Sequence, residues 1–269
     1  MSDAGMLAAR LLQAHDRGSL TRLPSAGDAA FDMRAAFAVA DALRRLRSAR
    51  GEKAMGWKIG FTNRSIWQRY GVHRPIWGPV WDSGTALLDG ATASVSLAGL
   101  SQPRLEPEVV FGVKRTPRAG MSLTELQGCL DWVAHGFEIV HTHFDGWRFG
   151  AADSVADFAL HGRLRIGPRV SVQGWHALAE DLSALQVELL CDGQPVDRGQ
   201  GAVVLDGPLH ALRLWVDEMA EYTPAWTIRV GDVVTTGTIT DAWPLQAGQC
   251  WQTRLSDARL TPLTLNTQA

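Results

Sequence analysis

The sequence predicts an α+β protein in which a helical N-terminal segment precedes an irregular, mostly antiparallel β core. Over the first 50 residues, apolar side chains recur at spacings of three and four, the period of an amphipathic helix. Beyond residue 51 the chain changes to short runs rich in β-branched residues, separated by Gly, Pro and Asp. We therefore assign residues 1–55 to the helical segment and residues 56–269 to a β-rich domain.

The helical segment carries two apolar patterns, and the second is expected to end near Gly51, because glycine favours the left-handed turn that closes many helices. The apolar positions are Leu7, Leu11 and Leu12 in the first pattern, and Met33, Phe37, Ala40, Leu43 and Leu46 in the second.

The β core is predicted from short apolar runs, and Asp192-Gly193 is a hairpin signal directly after one of them. The clearest runs are residues 57–62, 93–97, 109–113, 137–143, 186–191 and 232–236. Strands and helices do not alternate regularly, and neither a GxGxxG nor a Walker motif is present. A doubly wound nucleotide-binding fold is therefore not expected.

Two further helices interrupt the β core. One begins with a capping box formed by Ser122 and Glu125 and is expected to continue through Leu126, Leu130 and Val133. The other begins near Pro208, a residue that suits the first turn of a helix. Its apolar face is formed by Leu209, Leu212, Val216 and Met219.

The composition excludes several classes of protein. The chain is 46% hydrophobic and 20% charged, its formal net charge is −2 and its pI is near 6.4, so a dedicated nucleic-acid binder is not expected. No run approaches the roughly 18 apolar residues of a membrane span, and the N-terminus lacks the features of a secretory signal. Three widely spaced cysteines indicate neither a disulfide framework nor a zinc ribbon. We expect a soluble, cytoplasmic protein.

Glu106 and Glu108 are the first candidate site residues. Pro107 between them favours extended backbone, and side chains two residues apart on an extended chain lie on the same side. Two carboxylates facing one point repel each other unless a cation lies between them, and Mg²⁺ or Mn²⁺ prefers such oxygen ligands. The alternative is a solvated pair on the surface.

Glu138 lies within an apolar run in which Phe137 and Ile139 take the opposite face. A carboxylate in such a strand needs a partner, and it would provide a third oxygen ligand. A salt bridge to an arginine is the alternative. His141 and His143 have the parity of Ile139, so we expect them to be structural or surface residues that do not share a site with Glu138.

Lys58 is a candidate acid or base. Gly56 and Gly60 share its face on a strand and would leave space for a ligand beside it. Apolar neighbours and a nearby cation would disfavour its charged form, which suits proton transfer. The alternative is a lysine that extends its amine to solvent. Asp82 and Asp157 are further acids in apolar settings, whereas no G-x-S-x-G elbow supports a serine nucleophile.

Seven segments together resemble a known family. They are Gly-Trp-Lys-Ile-Gly-Phe-Thr at 56–62, the Gly, Val, Pro and Gly of 71–78, Glu-Pro-Glu at 106–108, Phe-Glu-Ile-Val at 137–140, Asp-Ser-Val-Ala-Asp at 153–157, the Gly-x-Gly-Ala of 199–202, and 231–238. In order and spacing the chain resembles the 2-keto-4-pentenoate hydratase / 4-oxalocrotonate decarboxylase branch of the fumarylacetoacetate hydrolase superfamily, over residues 50 to 255.

The resemblance implies a fold like the C-terminal domain of fumarylacetoacetate hydrolase and a Mg²⁺- or Mn²⁺-dependent enzyme of 2-oxo acids. Glu106, Glu108 and Glu138 would correspond to the metal ligands, Lys58 to the active-site lysine and Asp82 to its nearby acid. The expected reaction is hydration of a 2-hydroxy-2,4-dienoate from aromatic ring cleavage. The alternatives are decarboxylation of a 4-oxalocrotonate-like diacid, hydrolysis of an acylpyruvate, and an inactive structural partner.

Two departures from the family concern the substrate. Members of the family usually have an acidic residue near the proline of residues 71–78, whereas this chain has His73 and Arg74 there. They usually have small polar residues after Asp157, whereas this chain has a bulkier run that includes His161. The candidate substrate residues are Arg74, Asp157, His161 and Thr236. Arg74 could bind the second carboxylate of a diacid, or it could lie in a surface loop. We expect a short monocarboxylic substrate, a homo-oligomer and association with a pathway decarboxylase.

Overall fold

The computed structural model of the chain describes residues 3–223 and 225–269, within which seven α-helices occur. They are α1 (Asp3–Arg17), α2 (Met33–Ala49), α3 (Trp67–Tyr70), α4 (Leu123–Gln127), α5 (Ala151–Ala156), α6 (Leu178–Ala184) and α7 (Pro208–Tyr222). Short 3₁₀ helices lie at Arg64–Ile66, Asp145–Trp147, Phe158–Leu160 and Gly201–Val203. None of the helices in the described part of the chain has the length and apolar character needed to cross a bilayer.

The same residues form fourteen strands. They are β1 (Ala54–Gly60), β2 (Ile76–Trp81), β3 (Thr85–Leu87), β4 (Thr92–Ser96), β5 (Arg104–Val113), β6 (Leu130–Val140), β7 (His161–Ile166), β8 (Val170–Ser171), β9 (Gln186–Cys191), β10 (Gln194–Gln200), β11 (Val233–Thr238), β12 (Trp243–Pro244), β13 (Cys250–Leu255) and β14 (Thr264–Gln268).

The strands build two mixed sheets. The nine-stranded sheet has the order β2-β1-β11-β5-β6-β7-β3, with β12 paired to β5 and β8 paired to β6. The five-stranded sheet has the order β10-β9-β13-β14-β4. Among the described residues, β1–β11, β3–β7 and β4–β14 are parallel pairs and the other pairs are antiparallel. The predicted α+β class with a mostly antiparallel core is confirmed.

The two N-terminal helices pack on the larger sheet. Leu11 of α1 and Leu43 of α2 are buried in the same apolar cluster as Trp77 of β2. Helix α2 begins at Asp32, whose Oδ1 accepts a hydrogen bond of 2.9 Å from the backbone amide of Ala35. The helices therefore share a core with the sheet, and the division into residues 1–55 and 56–269 stays a prediction.

The predicted helix after residue 122 is correct at its start and wrong in its length. The capping box between Ser122 and Glu125 is present, but α4 ends at Gln127. Leu130 and Val133 lie in β6, where they pair with Val113 and Phe111 of β5. This pairing satisfies the backbone groups of β6 across a long strand and buries both side chains, which a longer helix would not do.

The predicted helix start near Pro208 and the predicted hairpin turn agree with the structure, whereas some strand bounds differ. Helix α7 begins at Pro208, and Asp192 and Gly193 connect β9 to β10 with φ angles of +50° and +80°. Strands β5 and β6 begin earlier than predicted, and they run side by side for ten and eleven residues. Their antiparallel register determines which side chains meet in the middle of the larger sheet.

Candidate metal centre

Three glutamates meet between β5 and β6. Glu106 pairs directly with Glu138 across the two strands, and Glu108 lies two residues further along β5. One oxygen from each carboxylate lies within 4.8 Å of the others. Glu108 and Glu138 are fully buried, whereas Glu106 is partly exposed. Alternation predicted that Glu106 and Glu108 share a side, and the family resemblance added Glu138. Among the described residues, Glu138 pairs with Lys58 and His161 and not with the arginine that was its alternative.

Each buried carboxylate has one oxygen held by the protein. Glu108 Oε2 accepts hydrogen bonds from the hydroxyl of Thr235 and from the Gly237 amide, the latter at 2.7 Å. Glu138 Oε1 accepts a hydrogen bond of 2.7 Å from His161 Nδ1. The other oxygens, Glu108 Oε1 and Glu138 Oε2, are buried without a hydrogen-bond partner. A set of fixed, oxygen-only donors fits a hard divalent cation.

Lys58 lies beside these carboxylates on β1. Its Nζ is 3.5 Å from Glu138 Oε2, and the side chain is 3% exposed, so it does not extend to solvent. Gly60 provides space, since a Cβ there would lie 3.2 Å from Nζ. The expectation for Gly56 was wrong: a Cβ there would meet the Val233 carbonyl oxygen at 1.9 Å, so close strand approach requires this glycine.

The charges in the centre shift one another's pKa values. Burial raises the pKa of Glu106 to about 7, and burial together with the other two carboxylates raises the pKa of Glu108 well above its usual range. Burial acts in the same direction on Glu138, but Lys58 and His161 outweigh it and lower its pKa. Burial lowers the pKa of Lys58, yet the three carboxylates outweigh it and raise that pKa. Without a cation, the charged form of Lys58 is therefore favoured, contrary to the expectation from its apolar neighbours.

A cavity that is partly open to solvent adjoins Lys58 and Glu106. Its wall is largely aromatic and aliphatic. The aromatic members are Phe61, Tyr70, Trp147 and Phe149, and the aliphatic members are Ile66, Ile76, Val140 and Leu160. The rings of Tyr70 and Phe149 stack at 5.4 Å. Such a wall, with charged groups at one end, is typical of a site for a small organic acid.

The structure does not bring Asp82 or Arg74 to this cavity. Gly78 of β2 pairs with Lys58, and Asp82 lies four residues beyond it, which corresponds to about 13 Å along a strand. Asp82 is exposed and caps a turn by accepting from the Lys53 amide at 3.0 Å. Arg74 forms an ion pair of 3.0 Å with Glu218 on α7. Both side chains therefore have partners outside the cavity, and their predicted roles, Asp82 as a catalytic acid and Arg74 as a substrate residue, stay predictions.

The other three candidate substrate residues have internal partners. Asp157 is buried and accepts from His143 Nδ1 at 2.5 Å and from the His143 amide at 2.9 Å. His161 Nδ1 donates to Glu138 Oε1. Thr236 donates to the Val109 carbonyl at 2.9 Å on the side of β11 away from the glutamates. All three polar groups are thus hydrogen-bonded within the protein, and their contact with a substrate stays a prediction.

Sequence reasoning missed several residues of the site. Thr235 and Gly237 lie on the face of β11 opposite to Thr236, because side chains alternate along a strand. Once β11 is known to pair with β5, this alternation identifies them as neighbours of Glu108. Arg104 has the parity of Glu106, lines the cavity, and lies over the ring of Trp147 at 4.2 Å. The aromatic residues 147 and 149 come from a connection without regular spacing, and no sequence signal marked them.

His141 and His143 do not join the glutamates, in agreement with their parity. They are not surface residues, however, since both are buried, 1% and 0% exposed. They lie beyond the end of β6, beneath His15 of α1.

Comparison with curated proteins finds relatives of similar length. The chain is 32% identical to a 2-hydroxyhexa-2,4-dienoate hydratase of Comamonas testosteroni over 205 residues, 76% of this chain and 75% of the relative. It is 31% identical to a 2-keto-4-pentenoate hydratase of Paraburkholderia phymatum over 240 residues, 87% and 86% of the two chains. No protein-family model matches the chain.

Solved structures with the same fold include metal complexes. The 4-oxalocrotonate decarboxylase of Pseudomonas putida G7, complexed with magnesium and adipate, has a TM-score of 0.89 and 25% identity, over 98% of this chain and 97% of that one. A fumarylpyruvate hydrolase of Pseudomonas aeruginosa with Mn²⁺ and pyruvate shares the fold alone, with a TM-score of 0.59, 13% identity, and coverage of 79% and 88%.

Proposed function

Because the chain belongs to the 2-keto-4-pentenoate hydratase / 4-oxalocrotonate decarboxylase branch of the fumarylacetoacetate hydrolase superfamily, we propose that it is a lyase that adds water to a 2-hydroxy-2,4-dienoate. The product is a 4-hydroxy-2-oxo acid, and the substrate comes from the cleavage of an aromatic ring. The observation that carries this proposal is the convergence of three carboxylates and Lys58 at one end of a largely apolar cavity.

Glu106, Glu108 and Glu138 would hold the divalent cation, which we propose to be Mg²⁺ or Mn²⁺. When bound, such an ion supplies positive charge that stabilises the enolate form of a 2-oxo acid. Thr235, Gly237 and His161 each fix a carboxylate through one oxygen, so that the ligand oxygens need not reorganise on binding.

Lys58 moves the proton in this proposal. Its Nζ lies among the carboxylates and lines the cavity, within reach of a substrate carbon or oxygen. A bound cation offsets the carboxylate charges that raise the pKa of Lys58, and burial then favours its neutral form. The lysine can thus both accept and return a proton during water addition.

The cavity wall supports a short monocarboxylic substrate. Phe61, Tyr70 and Phe149 surround the space beyond Lys58 with apolar surface, which stabilises an uncharged tail and disfavours a desolvated carboxylate. The opening to solvent provides the route by which substrate and water enter.

Decarboxylation of a 4-oxalocrotonate-like diacid is a second candidate, and Arg104 favours it. This cation lines the cavity on the same face of β5 as Glu106, where a second carboxylate can pair with it. The decarboxylase from Pseudomonas putida G7 has the same fold over nearly the whole chain. The same cation and lysine would serve decarboxylation and hydration alike, so product analysis must distinguish the two reactions.

The remaining alternatives receive less support. An inactive structural partner would not need the three glutamates and Lys58, all of which are retained. Hydrolysis of an acylpyruvate rests on the fold alone. Cytoplasmic location, homo-oligomerisation and association with a pathway decarboxylase stay part of the proposal.

Product analysis by NMR tests the proposal. The purified protein with Mg²⁺ is given a 2-hydroxy-2,4-dienoate, a 4-oxalocrotonate-like diacid or an acylpyruvate in separate reactions. We expect a 4-hydroxy-2-oxo acid from the first and slow or no conversion of the others. Carbon dioxide release from the diacid with no hydration of the dienoate would establish the second candidate instead.

A further inference from the structure

Three histidines form a second cluster of metal-ligating side chains. His15 comes from α1, while His141 and His143 follow the end of β6. One nitrogen from each ring lies within 4.8 Å of the others. The ring centroids are 5.3 Å, 5.7 Å and 4.6 Å apart for the pairs 15–141, 15–143 and 141–143. The cluster contains none of the three glutamates.

Within the described part of the chain, each ring of this cluster has a buried nitrogen without a hydrogen-bond partner: Nδ1 of His15, Nε2 of His141 and Nε2 of His143. Buried polar atoms are normally hydrogen-bonded, and one bound ion would give all three nitrogens a partner. His143 Nδ1 donates to Asp157 Oδ1 at 2.5 Å, which leaves the lone pair on its Nε2. A carboxylate behind an imidazole in this way is typical of metal-binding histidines.

We propose that His15, His141 and His143 bind a transition-metal ion such as Zn²⁺ or Co²⁺, at a site separate from the three glutamates. Imidazole nitrogens favour these ions, whereas Mg²⁺ and Mn²⁺ prefer carboxylate oxygens. The chain would therefore have two cation sites of different selectivity, one with oxygen donors and one with nitrogen donors. Three protein ligands leave one tetrahedral position for water.

The surroundings favour the neutral forms of His15 and His141. Burial, followed by the charge of Arg47, lowers the pKa of His15 to about 2, and burial lowers the pKa of His141 well below its usual range. A metal ion then has no protons to displace from these two rings at neutral pH. The charge of Arg47 opposes a cation, but Arg47 pairs with Glu52 at 2.5 Å, and Asp157 adds a negative charge behind His143.

One contact opposes the site. The Ser101 amide donates to His141 Nδ1 at 3.3 Å, which favours the tautomer with hydrogen on Nε2. Coordination through Nε2 requires that hydrogen to move to Nδ1, and this contact is then lost. Because 3.3 Å is long for such a bond, we expect coordination by three imidazoles to outweigh it.

A bound ion would add a further link between α1 and the core. His15 lies on a helix that already contributes apolar side chains to the core and an ion pair between Asp16 and Arg50, and the ion would also connect it to the segment that follows β6. Metal binding to the native state raises the free energy of unfolding by mass action. A rise in melting temperature with Zn²⁺ is therefore a readout that is independent of catalysis.

The test uses the full chain with the glutamate site removed. Chelator-treated Glu106→Gln/Glu138→Gln protein is titrated with Co²⁺ and Zn²⁺. We expect about one ion per chain, a visible absorption band typical of tetrahedral Co²⁺, and a higher melting temperature with Zn²⁺. Adding His15→Gln should weaken Co²⁺ binding at least about tenfold, the loss expected when one ligand is removed. Adding His176→Gln, at an exposed position, should leave binding unchanged.

Two results would overturn the proposal. The first is absence of stoichiometric Co²⁺ or Zn²⁺ binding by the glutamate-site variant, in which all three histidines are intact. The second is Co²⁺ binding that His15→Gln leaves unchanged. His15 is a half-buried helix position, and circular dichroism establishes that its variant is folded; the titration with intact histidines decides the outcome if it is not.

Discussion

The contact between His161 and Glu138 provides a sharp test of how the protein prepares its metal centre. His161 Nδ1 donates to Glu138 Oε1 at 2.7 Å, and both side chains are buried. His161→Ala leaves Oε1 without a donor and frees the carboxylate to rotate. Removing the partner that orients a metal ligand typically costs 10–100-fold in metal affinity, which corresponds to about 1.4–2.7 kcal/mol.

His161→Asn separates the hydrogen bond from the packing. The amide nitrogen of asparagine occupies nearly the same position as histidine Nδ1, so this variant retains a donor to Glu138 while it loses part of the ring. We expect the affinity of His161→Asn for Mn²⁺ to lie within a few-fold of wild type, and that of His161→Ala to fall by about 10–100-fold. His176→Ala is the matched control at an exposed position.

Calorimetry of chelator-treated protein with Mn²⁺ measures these affinities directly. Wild-type affinity in His161→Ala would mean that the hydrogen bond does not orient Glu138 for the metal. Equal losses in His161→Ala and His161→Asn would mean that the ring matters through packing and not through its donor.

Three further predictions concern the same region. Lys58→Ala should lower turnover by about 10²-fold or more and keep the affinity for Mn²⁺ within a few-fold of wild type. The control Lys53→Ala, at an exposed position, should change neither quantity. Near-normal turnover of Lys58→Ala would mean that Lys58 does not transfer the proton. Burial raises the folded pKa of Glu106 to about 7, above its unfolded value, so its contribution to stability is lost as pH rises through that value. The melting temperature of chelated protein should therefore fall between about pH 4.5 and about pH 7, and saturating Mn²⁺ should reverse the fall; a melting temperature that rises with pH would contradict the assignment. Gly237→Ala should lower the free energy of unfolding, measured in urea, by about 2–4 kcal/mol. The added Cβ would lie 1.9 Å from Thr62 Oγ1, and the backbone has a φ of +101°. A loss below about 0.5 kcal/mol would refute the close approach.

Part of the glutamate site could be predicted because it depends on local geometry. Alternation along an extended chain places Glu106 and Glu108 on one side, and an apolar run isolates Glu138 on one face of its strand. Glu138 entered the expected ligand set through the family resemblance, and the antiparallel register that sets it opposite Glu106 is known only from the structure.

The contacts that the sequence did not reveal depend on distant parts of the chain. Asp82 follows the correct strand but lies beyond its far end, which the order of motifs along the chain does not reveal. Arg74 finds Glu218 of α7, 144 residues away. His143 is buried because the connection after β6 folds back beneath α1, and no spacing in the sequence encodes that contact.

The predicted secondary structure was wrong after Ser122 for a similar reason. The residues after Ser122 continue a helical period, yet Leu130 and Val133 belong to β6 because β5 offers a paired strand for them. Local propensity is a weak determinant when a long strand pair buries both side chains.

Restoration of turnover by metal tests the central claim most directly. Chelator-treated protein is mixed with 2-hydroxypenta-2,4-dienoate, Mg²⁺ is added, and NMR follows the product in wild type and in Glu138→Gln, with Glu180→Gln as the exposed control. We expect Mg²⁺ to restore formation of 4-hydroxy-2-oxopentanoate in wild type and in Glu180→Gln but not in Glu138→Gln. Hydration that persists after chelation, or that Mg²⁺ restores equally in Glu138→Gln, would contradict it.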